Sequence, residues 1–253
     1  MTQPAPRDER TRSRQGLWQG LAAYGMWGVF PLYFPLLAPA AAVEIIAHRV
    51  LWTLAFGVVA LTVTRTWSRA RAVVSSASTL GRLALAGVLV ATNWLVYVWA
   101  VLSGHTVDAA LGYYVNPIVT VVIAVLALHE RLRQAQWVAL GLGGAAVVVL
   151  TLGVGRPPWV ALALAATFGA YGFLKNRTGT TVAPLPGLTV ETAALAPFAL
   201  AWLLLAERGG TFGGHGAWHA LGLAGAGVIP AVPLLLFGGA ARRLPLSVMG
   251  LLQ

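Results

Sequence analysis

Four ionisable side chains lie within or at the ends of long apolar runs in this sequence: Glu44, His48, Arg49 and Asp108. Glu44 and His48 are four residues apart and would share one face of a helix, whereas Arg49 would lie roughly 140° from Glu44 around the axis. Arg49 could pair with Glu44 or Asp108, as an outer gate that opens during a conformational cycle or as part of a proton relay. The alternative is a permanent ion pair that joins two helices, and Asp108 also suits the dipole of the helix that it begins.

A second set of side chains is polar or aromatic, or interrupts a helix, and falls near the middle of the apolar runs: Trp27, Asn93, Trp94, Tyr97, Asn116 and Pro117. Asn93 and Tyr97 are four residues apart and would face the same side of a helix, with Trp94 beside them. An amide between aromatic walls suits a modest-sized amphipathic or aromatic solute. The alternative is that Asn93 and Asn116 form hydrogen bonds that only hold helices together. Pro117 would free a backbone carbonyl one turn earlier, which either faces a ligand or kinks the helix.

Two other carboxylates are interpreted as structural. Glu191 lies two residues after Thr189, near the predicted start of a helix, where a negative charge interacts favourably with the helix dipole. Glu130 ends a predicted helix beside Arg131 and Arg133 and is expected to belong to a solvated surface cluster. Both carboxylates are therefore assigned to helix ends rather than to a site.

Metal, cofactor and covalent chemistry are not indicated by the sequence. The chain contains no cysteine, and His215 and His219, although spaced four apart as in some metal sites, have no third ligand. No nucleophile is placed beside a candidate base. The Gly-rich runs at 141–144 and 222–227 lack the preceding strand and the following Lys of a phosphate-binding loop. We therefore expect no metal, no cofactor and no enzymatic activity.

The composition indicates the class of protein in which these side chains are embedded. Of the 253 residues, 58% are apolar or aromatic and 9% are charged, where a soluble domain has about 25% charged residues. Because so few charged groups cannot cover the surface of a soluble fold, the chain is expected to be an integral membrane protein. The net charge of +10 does not indicate nucleic-acid binding, since the basic residues occur in small groups between apolar runs and form no single basic face.

Eight apolar segments are long enough to cross a bilayer as helices, since a span needs about 20 residues. They lie at about 17–37, 44–64, 83–103, 107–128, 134–153, 157–174, 187–206 and 219–240. The first could instead be a signal peptide, but its apolar stretch of about 21 residues exceeds the roughly 7–15 residues of a signal core. An all-α membrane fold is therefore predicted, with the first segment retained as a helix.

The basic residues predict the orientation of these spans. With the N-terminus in the cytoplasm, the outer loops would carry only Arg156 and Arg208, and Arg49 would lie inside the second span. The remaining basic residues would lie on the inner side: Arg7, Arg10, Arg12, Arg14, Arg65, Arg69, Arg71, Arg82, Arg131, Arg133, Lys175, Arg177, Arg242 and Arg243. This asymmetry follows the positive-inside rule. We therefore expect a multi-pass membrane protein with a cytoplasmic N-terminus.

The two halves of the chain resemble each other. Trp27-Gly28 corresponds to Tyr171-Gly172 at an offset of 144 residues, and the runs that begin at Gly87 and Ala110 have counterparts at offsets of 140 and 138. The implied repeat has five helices, and an odd number inserts the second copy with inverted topology. The predicted division is a basic tail at 1–16, a first repeat at 17–152 and an incomplete second repeat at 153–253, which lacks most of helix 9 and helix 10. About eight helices and a stub are expected.

Several motifs follow one another along nearly the whole chain: Tyr24-Gly25-Met26-Trp27-Gly28-Val29-Phe30-Pro31-Leu32-Tyr33, Glu44-Ile45-Ile46-Ala47-His48-Arg49, Asn93-Trp94, Leu111-Gly112-Tyr113-Tyr114-Val115-Asn116-Pro117, Glu130-Arg131-Leu132, Gln136-Trp137 and Pro233-Leu234-Leu235-Leu236-Phe237. Their order resembles the EamA type of the drug/metabolite transporter superfamily and, within it, the RarD-like proteins. The resemblance implies ten helices in two inverted repeats and a carrier of metabolites or drugs. The family pattern continues beyond Gln253, the last residue of this sequence.

The resulting hypothesis is a secondary transporter of the bacterial plasma (inner) membrane that moves a small metabolite or drug by alternating access. Its two halves would rock around a pocket at mid-membrane lined by the second set of side chains, driven by an ion gradient with Asp108, Glu44 or His48 as proton sites. The expected partners are a small-molecule solute and the lipid bilayer, with no nucleic acid, and a homo-oligomer is left open. The alternatives are a truncated, non-transporting membrane protein or scaffold, and an integral membrane enzyme, for which no clustered catalytic set is found.

Overall fold

The computed structural model describes residues 6–154, 158–206 and 210–253, and these ranges are helical with no strand. In chain order the helices are α1 (Pro6–Trp27), α2 (Phe30–Tyr33), α3 (Ala42–Val63), α4 (Trp67–Val74), α5 (Ala77–Leu102), α6 (Thr106–Leu128), α7 (Gln134–Val154), α8 (Trp159–Gly179), α9 (Pro184–Leu205), α10 (Gly216–Ala241) and α11 (Leu246–Leu252). A short 3₁₀ helix, Phe34–Leu37, follows α2. Arg156 and Arg208, expected in the outer loops, lie outside the described residues.

Seven segments of the described chain are long and apolar enough to cross a membrane. They are Ser13–Leu37, Ala42–Val63, Ala77–Leu102, Thr106–Leu128, Gln134–Gly153, Pro184–Leu205 and Gly216–Ala241. The remaining predicted span, 157–174, corresponds to α8, whose last turns carry Lys175, Asn176 and Arg177 and are therefore less apolar. Seven of the eight predicted spans coincide with one long helix each, and the first coincides with α1, α2 and the 3₁₀ helix. The all-α membrane fold is therefore confirmed, and the chain is a multi-pass membrane protein.

The ends of several helices differ from the predicted ends. Helix α1 begins at Pro6, inside the predicted basic tail, and α8 continues to Gly179, past the predicted end at 174. Helix α5 begins at Ala77, where the Ser76 side chain accepts a hydrogen bond from the backbone N–H of Thr79. Helix α4 was not predicted. These differences share one cause, because hydropathy marks the part of a helix that lies in hydrocarbon, whereas backbone hydrogen bonds continue into the polar flanks.

Prolines divide the first span and so position its aromatic residues. Helix α1 ends at Trp27, Pro31 lies in the first turn of α2, and Pro35 lies in the first turn of the 3₁₀ helix. Proline lacks a backbone N–H and is tolerated in a first turn, where that group has no partner within the helix. The break leaves Trp27 and Phe34 buried in the interior of the bundle.

The two halves make equivalent helix contacts. When α1, α3 and α5 are matched with α8, α9 and α10, the packing of α1 against α10 has its counterpart in α8 against α5. In the same way, α3 against α10 corresponds to α9 against α5, and α3 packs directly on its own counterpart, α9. Exchanging the halves therefore exchanges these interfaces with one another, which is the relation expected of an inverted repeat.

Two glycines bring the central helices together at equivalent positions. A Cβ on Gly87 of α5 would lie 2.9 Å from the backbone oxygen of Glu191 in α9, and one on Gly227 of α10 would lie 2.9 Å from the backbone oxygen of Arg49 in α3. Gly87 and Gly227 are the residues that the sequence matches at an offset of 140. Because they have no side chain, the paired backbones approach closely, as small residues allow between membrane helices.

The short helix α4 connects the second and third spans and packs against α9 of the other half. Val73 of α4 and Leu83 of α5 form a small apolar cluster with Val182 and Val190. These side chains are buried, so the connection between the two spans is fixed to the second half of the molecule by apolar contact.

Candidate functional site

A cavity lies inside the bundle between α1, α5, α6 and α8. Its free volume is about 20 Å³, which is room for about one water molecule. It is lined by Trp27, Asn93, Trp94, Tyr97, Gly112, Tyr113, Asn116, Leu164, Phe168 and Gln253. Five of the six side chains expected in a substrate pathway are therefore brought together. Pro117, the sixth, borders a separate groove between α6 and α7. We call the first space the central cavity.

The walls of the central cavity are mainly aromatic. The Trp27 and Phe168 ring centroids are 5.4 Å apart, and those of Trp94 and Tyr97 are 6.0 Å apart, both pairs meeting edge to face. Tyr97 in turn meets Tyr113 at 5.7 Å. Edge-to-face contacts between rings stabilise such a wall beyond the burial of its area. The lining is suited to an apolar or aromatic group rather than to a hydrated ion.

Asn93 both lines the cavity and joins two helices. Its Nδ2 donates hydrogen bonds to the backbone oxygen of Leu164 and to Oγ1 of Thr167, each at 2.9 Å. The interpretation of Asn93 as a link between helices α5 and α8 is thereby supported, since a hydrogen-bonded amide is how polar side chains connect membrane helices. By contrast, the buried indole N–H of Trp27 has no hydrogen-bond partner among the described residues. A polar donor of the cavity wall is thus left available.

Asn116 makes a comparable link on the other side of the cavity. Its Nδ2 donates a hydrogen bond to Oε1 of Gln253 at 2.6 Å, and its Oδ1 accepts a longer one, 3.4 Å, from Thr120 one turn later in α6. Asn116 is buried. Both amides of the candidate pathway therefore have protein partners in this conformation.

A buried ion pair lies between α8 and α9, where the sequence interpretation was wrong. Glu191 is in the interior of α9, which begins at Pro184, and not in a first turn. Its Oε1 lies 2.6 Å from Nζ of Lys175, with both side chains buried. Lys175 had been assigned to the inner surface with Arg177, because the predicted span ended at 174. The sequence feature that could have indicated a special role for Lys175 is that it is the only lysine of the chain.

Arg49 forms no ion pair with Glu44, contrary to one of the expected pairings. The Arg49 guanidinium stacks on the ring of Trp94, with Cζ 3.5 Å from the ring centroid. The Glu44 carboxylate instead accepts hydrogen bonds from the backbone N–H and the hydroxyl of Thr211. His48 stacks on Phe212 with ring centroids 4.7 Å apart. Glu44, His48 and Arg49, which were expected to form one gate, therefore contact three different residues.

Two further acidic residues, Asp108 and Glu130, lie in the first turn of α6 and just beyond its end, respectively. Asp108 is in the first turn of α6, which fits its local interpretation. Glu130 is not part of a solvated cluster, since its carboxylate accepts hydrogen bonds from the backbone N–H groups of Leu246 and Ser247 at 2.8 and 3.0 Å. It therefore caps the N-terminus of α11, a tertiary contact that local charge could not indicate. Within the described ranges, no three His or acidic residues are grouped as metal ligands.

Comparison with known proteins gives the family. Residues 14–152 match the model of the EamA-like transporter family. The chain is 48% identical to Protein RarD of Streptomyces exfoliatus, over 95% of this chain and 76% of that protein. It is 40% identical to the uncharacterized transporter YojE of Bacillus subtilis, over 97% and 83%, respectively.

A more distant relative carries a more specific name. The chain is 29% identical to the chloramphenicol-sensitive protein RarD of Pseudomonas aeruginosa, over 95% of this chain and 81% of that protein. No solved structure matches the chain. The match of the family model to more than half of the chain and the strong similarity to RarD proteins along nearly all of it agree with the all-helical, membrane-spanning fold. The chain belongs to the EamA-like transporter family.

Proposed function

We propose that this protein is a secondary transporter of the bacterial inner membrane that moves a small amphipathic or aromatic solute by alternating access. The observation that carries the proposal is that Trp27, Asn93, Trp94, Tyr97 and Asn116 surround one central cavity. Aromatic walls with a few polar groups are typical of sites for such solutes. The partners proposed are the solute and the bilayer lipid, and no nucleic acid.

The mechanism proposed is rocking of the two halves about the central cavity. Its lining comes from α1, α5 and α6 of the first half and from α8 of the second. A relative movement of the halves would therefore widen it, and it must widen, because about 20 Å³ admits about one water-sized group. Coupling to an ion gradient is part of the proposal, with Asp108, Glu44 or His48 as candidate proton sites.

Replacing Trp27 by Phe should lower the rate of solute transport about tenfold, because the indole N–H and part of the wall are lost, and one such interaction is worth about 1–1.5 kcal/mol. The measurement is uptake into proteoliposomes of chloramphenicol, phenylalanine and 3-phenylpropionate, which represent neutral, zwitterionic and anionic aromatic solutes. The matched control is Trp18→Phe in the same helix, because Trp18 is 72% exposed. Equal losses in both variants would contradict a role for the cavity, and uptake of none of the solutes would favour a non-transporting membrane protein.

The proposed orientation predicts which loops can be reached from outside the cell. The chain has no cysteine, so Ser75→Cys, Ser103→Cys, Thr180→Cys and Gly214→Cys would each carry one thiol, at positions that are exposed. A membrane-impermeant maleimide applied to intact cells should label the variants at 103 and 214. Those at 75 and 180 should react only after the membrane is opened. The reverse pattern would show that the N-terminus is not cytoplasmic.

A further inference from the structure

A second cavity lies between α3, α5 and α9. Its free volume is about 30 Å³, which is enough for about two or three water-sized groups by the criterion of about 10–15 Å³ for each. Its polar lining consists of Arg49, Thr53, Glu191 and Thr192. Trp94 lines both this space, which we call the arginine cavity, and the central cavity. The two cavities therefore share Trp94 in their walls.

The charges at the arginine cavity itself do not cancel, although Glu44, which does not line it, is also buried. Lys175 and Glu191 neutralise each other through their 2.6 Å contact. Arg49 is equally buried and adds a positive charge that this pair does not compensate. Glu44 precedes Arg49 by five residues, or about 7.5 Å along the helix axis, and it is held by Thr211. A buried charge without a counter-charge is costly, so the site favours one additional negative charge.

The Arg49 guanidinium also has an unused donor. Its face is stacked on Trp94, an arrangement that stabilises the cation but leaves the N–H groups at the edge of the plane unsatisfied. Nη1 of Arg49 is buried and has no hydrogen-bond partner among the described residues. The Thr53 and Thr192 hydroxyls already donate to the backbone oxygens of Gly227 and Leu188. Arg49 therefore presents to this cavity a buried donor that remains for a ligand.

We propose that Arg49 binds the anionic group of the transported solute, and that this solute is an organic monoanion with a carboxylate-type group on an apolar body. The apolar body would contact the aromatic walls of the central cavity, and the carboxylate would lie against the edge of the guanidinium, which matches carboxylate geometry. One uncompensated cation suits a monoanion better than a dianion such as a phosphate ester. This assignment rests on the proposed transport function.

The test uses the purified full chain in lipid nanodiscs and two probes of nearly the same shape, 3-phenylpropionate and its neutral amide. Binding is measured from the shift of the thermal unfolding midpoint with probe concentration. The wild-type protein should be stabilised by the carboxylate and much less by the amide. Arg49→Gln should weaken carboxylate binding about tenfold or more, the effect of losing a hydrogen bond between charged groups. The matched control is Arg131→Gln, because Arg131 is exposed and lines neither cavity.

A more conservative variant covers the case in which Arg49→Gln does not fold. Arg49→Lys keeps the charge but loses the planar fork, so the preference for carboxylate over amide should be reduced and not abolished. Equal binding of the two probes, an unchanged preference in Arg49→Gln, or no stabilisation by the carboxylate would overturn the proposal. Stabilisation by sodium chloride alone that depends on Arg49 would identify an inorganic anion and likewise overturn the assignment to the solute.

Failure of this inference can be separated from failure of the proposed function. If the chain binds 3-phenylpropionate through Arg49 but proteoliposomes take up no aromatic solute, the transport function is contradicted and the anion site stands. If solute is transported without any preference for a carboxylate, the anion site is contradicted and the transport function stands.

Discussion

Replacing Lys175 by Met is expected to lower the free energy of unfolding by about 3–5 kcal/mol, since breaking a buried ion pair leaves the other charge uncompensated. Glu191 is fully buried and its Oε1 contacts only the Lys175 ammonium among the described hydrogen bonds. Its Oε2 has no partner among the described residues. The carboxylate would therefore have to remain charged in an apolar interior or take up a proton, and either process disfavours the folded state.

The measurement is unfolding of the purified protein by a denaturing detergent, compared with wild type. The double variant Lys175→Met with Glu191→Leu should recover most of the loss, because well-packed apolar residues can replace a buried ion pair at little cost. Arg177→Met is the matched control, since Arg177 lies two residues later in α8 and is exposed, and its effect should stay within about 0.5 kcal/mol. A single variant at 175 as stable as the control would show that the pair contributes nothing to stability.

A methyl group at Gly227 should also be strongly destabilising. The Cβ of Gly227→Ala would meet Cβ of Trp52 and would lie 2.7 Å from the backbone nitrogen of Thr53. Backbone atoms cannot rotate away, so α10 and α3 must separate and the hydrogen bond from Thr53 Oγ1 to the Gly227 oxygen, 2.7 Å long, must stretch. Overpacking costs about 1–3 kcal/mol and sometimes more, and we expect a value at or above the upper end.

The equivalent contact between α5 and α9 supplies a second variant for the same experiment. Gly87→Ala should destabilise the equivalent interface of α5 with α9, where the added Cβ would lie 2.9 Å from the Glu191 oxygen. Gly144→Ala of α7 is the control, because no atom lies within 4 Å of its added Cβ; alanine should there be neutral or slightly favourable. The yield of folded protein after detergent extraction is measured first, and the free energy of unfolding is measured second. If Gly227→Ala and Gly87→Ala were both recovered at the wild-type yield, the close packing of α3 with α10 and of α5 with α9 would be refuted.

The spans could be predicted from the sequence because length and apolarity are local properties of a segment. The run at 44–64 has to be a helix in a bilayer, since its backbone groups have no other partners there. The correspondence of Gly87 with Gly227 could be read from the sequence, and both residues make a close contact with the backbone of a neighbouring helix. The grouping of Trp27, Asn93 and Asn116 also followed, since each lies near the middle of its own span.

The partners of the charged residues could not be predicted in the same way. Whether Glu191 meets Lys175 or Arg49 depends on which helix faces adjoin, and no spacing along the chain contains that information. A lysine lowers the mean hydropathy of a sequence segment even when a buried carboxylate neutralises its charge. The predicted span therefore ended at 174, and Lys175 was placed outside the membrane interior. Glu130 illustrates the same point, as its partners Leu246 and Ser247 lie more than one hundred residues away in sequence.

The contact of α4 with α9 has a consequence for the direction in which the molecule can deform. Separating the halves at this edge would expose Val73, Leu83, Val182 and Val190 to water, at about 25 cal/mol for each Å² of apolar area. A rotation that leaves α4 seated on α9 exposes none of this surface. The edge should therefore behave as a stiff pivot, and the larger displacements of a transport cycle should occur on the side of the bundle away from it.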